Sequence, residues 1–153
     1  MATIQRFEDL ICWQKARELT KQVYAVFERC RDFGFKDQIQ RASVSVMSNV
    51  AEGFERGTKQ ELLNYLYIAK GSAGEVRAQL YVALDANYLN IEMFKYLNGL
   101  ATDCSRLLQS FATKVKEGSR SGSQFKKAEP RDDYKEMLKE KFPELYQKMY
   151  PNG

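Results

Sequence analysis

The chain has 153 residues, 44% hydrophobic and 29% charged, which is enough apolar side chain for one contiguous core and enough charge to keep it hydrated. Its 24 Lys and Arg against 20 Asp and Glu leave a formal charge of +4, which permits an anionic partner without requiring one. Histidine is absent; a Glu-x-x-His di-metal site, a Cys-His zinc site and Cys-His nucleophilic catalysis are excluded with it.

Along the chain, apolar residues recur at helical spacing over about 8–31, at Leu10, Trp13, Ala16, Leu19, Val23, Val26, Phe27 and Cys30, and predict a first helix. Asp32-Phe33-Gly34-Phe35 interrupts that pattern and reads as a helix end and turn. A second helix is expected over about 36–54, with Ile39, Ala42, Val46 and Val50 facing inward. Thr58-Lys59-Gln60-Glu61 has the form of a capping box opening a third helix over about 59–86. Asn87 to Asn90 forms a turn, and Asn90 caps a fourth helix carrying Met93, Leu97, Leu100, Cys104, Leu107, Leu108, Phe111 and Val115. No stretch shows the alternation of a half-buried strand. The expectation is an all-α, antiparallel up-down-up-down four-helix bundle over 1–117.

After residue 117 the composition changes. A Gly/Ser-rich linker is expected over 118–133 and a short helical tail over 134–153. The tail's Phe142, Leu145, Tyr146 and Tyr150 are candidate docking anchors, because aromatic side chains dominate interface energetics. Cys12, Cys30 and Cys104 have no paired spacing and read as small core residues in a reducing compartment. No apolar run approaches the roughly 18–20 residues that span a bilayer. The first residues lack a basic-then-apolar leader pattern, so a cytoplasmic location without a membrane partner is expected.

Neither a Walker-type phosphate loop nor a GxGxxG fingerprint occurs. Gly71-Ser72-Ala73-Gly74 falls inside the third helix, where each glycine costs about 1 kcal/mol relative to alanine. The simplest reason is close approach of a neighbouring helix. Ser45, Asn49 and Glu52 on the second helix, with Ser72, Glu75 and Gln79 on the third, are spaced to form a polar seam between the two. The seam sets helix register or lines a binding site. A carboxylate pair at Glu52 and Glu75 is the one arrangement that suggests acid–base chemistry. No cofactor or metal is implied, and an enzyme is not expected.

These segments also carry a resemblance. Trp13-Gln14-Lys15-Ala16, Asp37-Gln38-Ile39-Gln40-Arg41-Ala42, Ser45 through Gly53, and Ile68 through Glu75 with Gln79-Leu80 closely resemble the bacterial four-helix-bundle family encoded by intervening sequences in 23S ribosomal RNA genes. The resemblance spans about 7–116. It implies an antiparallel bundle that assembles into a ring-shaped homopentamer, and no established enzymatic activity. The family is similar to the accessory variability proteins of diversity-generating retroelements, which bind a reverse transcriptase and nucleic acid.

Two functions therefore stand side by side. One is a non-catalytic, ring-forming accessory protein that binds RNA or DNA, or a ribonucleoprotein such as a reverse-transcriptase complex. Its repeated basic surface would be drawn from Lys15, Lys21, Arg41, Arg56, Lys59, Lys70 and Arg77. The other is a protein-interaction scaffold that uses the ring and the aromatic tail. Against the first, Arg41 and Arg56 are also spaced to pair with Asp37 and Glu52 on their own helix.

Overall fold

The computed structural model of the protein describes residues 4–118, 136, 139–149 and 151–152. The apolar spacing resolves into α1 (Ile11–Val26), α2 (Phe33–Arg56), α3 (Lys59–Asp85) and α4 (Ile91–Glu117). A 3₁₀ turn at Phe7–Asp9 precedes α1, and a short α5 (Pro143–Met149) lies in the tail. Short connections make successive long helices antiparallel, and α1 to α4 pack as the expected four-helix bundle. Of the linker expected at 118–133, all but Gly118 lies outside the described residues.

Three short polar side chains set where the later helices begin. Asp32 Oδ1 accepts from the Phe35 N–H at 3.1 Å, Thr58 Oγ1 from the Glu61 N–H at 3.3 Å, and Asn90 Oδ1 from the Met93 N–H at 2.8 Å. Each satisfies one of the amide donors that a helix start leaves open. The capping box is half formed: the Thr58 hydroxyl donates to Glu61 Oε2 at 3.0 Å. Gly57, at φ 81°, takes the left-handed conformation that ends α2.

The Asp32–Phe35 segment differs from its sequence reading. It is not a turn between helices but the start of α2, because the Asp32 cap lets the helix begin at Phe33. The first helix correspondingly stops at Val26, and Cys30 falls in the connection. Asp32 has a second task. Its Oδ2 accepts from the Tyr88 hydroxyl at 2.7 Å, tying the α1–α2 connection to the α3–α4 turn. The Tyr88 hydroxyl, followed by the Phe35 N–H, holds the Asp32 carboxyl below its ordinary value of 3.8. A carboxyl lowered on folding stabilises the fold above its unfolded pKa, and the contribution is lost as pH falls through the folded value. Asp32→Asn keeps a competent cap but loses the charge. It is expected to lower Tm at pH 7, with the difference from wild type closing as thermal scans are taken below pH 3.8.

The core runs the length of the bundle. Phe27, Phe54, Leu19, Ile39, Leu62, Leu66, Leu80, Leu97 and Leu108 are its largest fully buried side chains. On α4 the inward line starts at Phe94, not Met93: stepping back three residues from Leu97 reaches Phe94, and Met93 turns outward. Cys12 and Cys104 are core residues. Burial pushes their thiols up to about 11 and about 12, so both are packing groups and not nucleophiles.

The glycines divide into two kinds. A Cβ placed on Gly53 would sit 2.6 Å from Tyr65 Cβ and 3.4 Å from the Leu62 carbonyl oxygen, so at Gly53 α2 and α3 approach too closely for a side chain between them. A Cβ on Gly71 or Gly74 meets nothing within 4 Å. The close approach expected at those two positions is therefore not made by any helix among the described residues.

Candidate nucleic-acid interface

On α3, Tyr67, Lys70, Gly74, Arg77 and Tyr81 follow one another at spacings of three and four residues and so share one stripe of the helix. The stripe borders α4. Lys70 Nζ donates to Gln109 Oε1 at 2.8 Å, which fixes the register of the pair. Seven residues on along α3 and seven back along antiparallel α4, Arg77 comes level with Thr102. Between the helices lies an open groove of about 510 Å³. Its lining supplies three cations, Lys70, Arg77 and Arg106, together with the hydroxyls of Thr102, Ser105 and Ser110 and the Gln109 amide. Among the described residues no carboxylate lines it.

The cations of this groove differ from the others in how they are held. Among the described residues, the Arg77 and Arg106 guanidinium groups make no hydrogen bond or ion pair. Lys70 is held by a neutral amide, which leaves its charge uncompensated. At one end of the stripe Lys116 Nζ stands 4.9 Å from the centre of the Tyr67 ring. At the other, Tyr81 packs edge-on against Phe94 at 4.9 Å. Tyr67 is 39% and Tyr81 53% exposed.

The remaining basic candidates lie elsewhere. Lys15 pairs with Glu18 at 3.5 Å, Arg41 with Asp37 at 3.0 Å, and Arg56 with Glu52 at 3.1 Å. Lys59 donates to the Lys116 and Gly118 carbonyls at the far end of the bundle. Lys21 is exposed on α1. Of the seven basic residues, the structure brings only Lys70 and Arg77 into the groove. Arg106, the third cation, was missed. Its position follows only once the α3–α4 register is known, and the one-residue uncertainty at Met93 and Phe94 obscured that register.

The polar seam forms in part. Ser45 and Ser72 hydroxyls lie 2.9 Å apart across α2 and α3, and Asn49 Nδ2 donates to the Ser45 carbonyl at 2.8 Å and to its hydroxyl at 2.9 Å. Glu52 accepts from Arg56 and from the Tyr65 hydroxyl, both at 3.1 Å. Arg56 first and Tyr65 second hold its carboxyl below the usual range. Glu75 is exposed, ten residues beyond Tyr65 on α3 and therefore about 15 Å further along the helix. The two carboxylates are not brought together, and no acid–base pair exists at Glu52 and Glu75. Gln79 Oε1 is buried without a hydrogen-bond partner among the described residues.

Among the described residues no group of three or more Cys, Asp or Glu side chains is arranged to hold a metal, and no helix is long and apolar enough to cross a membrane. In the tail, Phe142 is exposed and Tyr146 half-buried; the side chains of Leu145 and Tyr150 lie outside the described residues.

Comparison with known proteins agrees with the fold. A protein of unknown function from the S23 ribosomal protein family of Bacteroides thetaiotaomicron VPI-5482 has a similar structure, with a TM-score of 0.63 and 23% sequence identity over 67% of this chain and 98% of that one. A search of curated proteins returned no match. The sequence profile of the 23S rRNA-intervening sequence proteins matches residues 8–110, from the 3₁₀ turn well into α4. The chain thus belongs to the 23S rRNA-intervening sequence protein family.

Proposed function

We propose that the chain is a non-catalytic accessory protein that binds nucleic acid through the groove between α3 and α4. The observation that carries this reading is the lining itself: Lys70, Arg77 and Arg106 with three hydroxyls and, among the described residues, no carboxylate. A cation already paired with a carboxylate has little to gain from a phosphate. Arg77 and Arg106 have no such partner among the described residues, so a phosphate meets their full charge. Hydroxyls and an amide beside them add neutral hydrogen bonds to phosphate oxygens and sugars, which position a nucleic acid without reading its sequence.

The assembly that accompanies this reading is the homopentameric ring implied by the family resemblance. Five chains of +4 carry about +20, a field that attracts a polyanion from a distance. Repetition of the groove around a ring raises avidity where each groove alone binds weakly.

The test is a salt series. Three cations per groove neutralise about three phosphates, so the logarithm of the affinity is expected to fall with log salt at a slope near −2 for a single strand and near −3 for a duplex per groove engaged. Protein stripped of nucleic acid is titrated into labelled RNA from low salt upward, and fluorescence anisotropy gives the slope. Absence of binding at low salt, or an affinity indifferent to salt, would overturn the reading.

A further inference from the structure

We infer that the groove takes a single strand in preference to a duplex, with bases stacked on Tyr67 and Tyr81 and the intervening phosphates on Lys70, Arg77 and Arg106; this rests on the reading of the groove as a polyanion site. The stripe on α3 is symmetrical in kind: aromatic, basic, glycine, basic, aromatic. Tyr67 and Tyr81 are fourteen residues apart, about 21 Å along the helix. That span accommodates a few nucleotides of an extended strand, with the two α3 cations inside it and Arg106 opposite on α4. Aromatic rings standing at either end of a cationic groove, one beyond Lys70 and one beyond Arg77 on the same stripe, are what a single strand needs. Its bases have free faces that stack on any aromatic ring, and its backbone stays within reach of positive charge.

A duplex cannot use this pattern. Its base faces are stacked on one another inside the helix, so it offers phosphates to the cations and nothing to the rings. Both rings are available in the sense the inference requires. Tyr67 is backed by Lys116 and Tyr81 by Phe94, which hold the rings in place while each remains more than a third exposed.

Gly74 fits the same picture. It lies between Lys70 and Arg77 on the stripe, and a Cβ there would point into open space. The chain gives up helix propensity at this position and gains no packing of its own in return. A bare stretch of helix backbone between two cations lets a sugar-phosphate chain lie closer to α3 than any side chain there would permit.

The test compares three labelled probes of equal length on the full chain at one salt concentration: oligo(U), a strand of abasic residues with the same phosphates, and a duplex. Oligo(U) is expected to bind at least tenfold more tightly than the abasic strand, about the contribution of one stacked base, and more tightly than the duplex. Tyr67→Ala/Tyr81→Ala should abolish that margin while leaving abasic-strand binding within about twofold, and Tyr67→Phe/Tyr81→Phe should retain it. If the abasic strand binds as tightly as oligo(U), stacking is wrong, although salt-dependent binding of both would leave the polyanion reading standing. If no probe binds, both readings fall together. A Tyr67→Ala/Tyr81→Ala protein that sediments as a smaller species, with the probes binding it as they bind wild type, overturns the inference in favour of a contact between copies of the chain. Should the alanine variant not fold, the abasic comparison on the wild-type chain decides.

Discussion

Lys70→Gln/Arg77→Gln/Arg106→Gln is expected to bind RNA about a hundredfold more weakly at low salt and to lose between two and three from the slope of log affinity against log salt, since each phosphate-neutralising cation contributes about one. The expectation follows from where these charges stand. Among the described residues Arg77 and Arg106 have no partner to lose, so removing them takes nothing from the fold. Lys70 gives up only its hydrogen bond to Gln109. The thermal transition should therefore stay within a few degrees of wild type. The instructive control is Lys15→Gln/Arg41→Gln/Arg56→Gln, which removes the same formal charge. Those cations face Glu18, Asp37 and Glu52 on their own helices, and the loss of affinity should be a few-fold at most, through the overall field alone. Anisotropy titrations at two salt concentrations, with melting curves for both variants, separate the cases. Equal losses in the two triple variants would mean that net charge, and not the groove, binds RNA.

That contrast also marks how far the sequence could be read. Helix number, order and approximate ends follow from apolar spacing and caps, because burial of a stripe is a property of each helix alone. Thr58 and Asn90 were legible as caps for the same reason: an N-cap bonds to an amide only three residues away. Asp32 was misread because an aspartate two residues before a glycine is as good a turn signal as a cap. The bond that distinguishes them, from the Phe35 N–H, depends on a helix having already begun.

The candidate site was less accessible. Of its three cations, Lys70 and Arg77 were singled out as two among seven, with nothing in the sequence to favour them over Lys21 or Lys59. What distinguishes them is that, among the described residues, no carboxylate pairs with them or lines their groove, and that α4 stands opposite; both are facts of register. Pairing within a helix is visible at a spacing of three or four, which is why Arg41 with Asp37 and Arg56 with Glu52 could be anticipated. Facing across helices is not. An error of one residue in phase, such as the exchange of Met93 for Phe94, turns a side chain by about 100°. Glu52 and Glu75 failed as a pair on the same ground. Both sit near the α2–α3 boundary, but antiparallel register puts Glu52 beside Tyr65 and leaves Glu75 almost three turns away.

The glycines test the packing side of the same account, because one substitution should change sign with position. Gly53→Ala puts a carbon 2.6 Å from Tyr65 Cβ, a separation that non-bonded carbons do not tolerate. The obstacle is the first carbon of a side chain, with the Leu62 carbonyl oxygen at 3.4 Å behind it, so no flexible tip can swing aside and the helices themselves must part. Parting them also pulls at the hydrogen bond between Tyr65 and Glu52, which spans the same crossing. Overpacking of this kind costs about 1–3 kcal/mol, and the cramped geometry puts Gly53→Ala toward the upper part of that range, offset by up to about 1 kcal/mol of helix propensity. The net expectation is a loss of about 2 kcal/mol and a Tm lower by roughly 5–10 °C. Gly71→Ala meets nothing within 4 Å and should collect the propensity term alone, a gain of about 1 kcal/mol. Urea unfolding of the two variants beside wild type measures both. Opposite signs would establish that only Gly53 is held by contact between α2 and α3. A loss at Gly71 as large as that at Gly53 would mean that the outer face of α3 is covered in solution by something besides the chain's own helices.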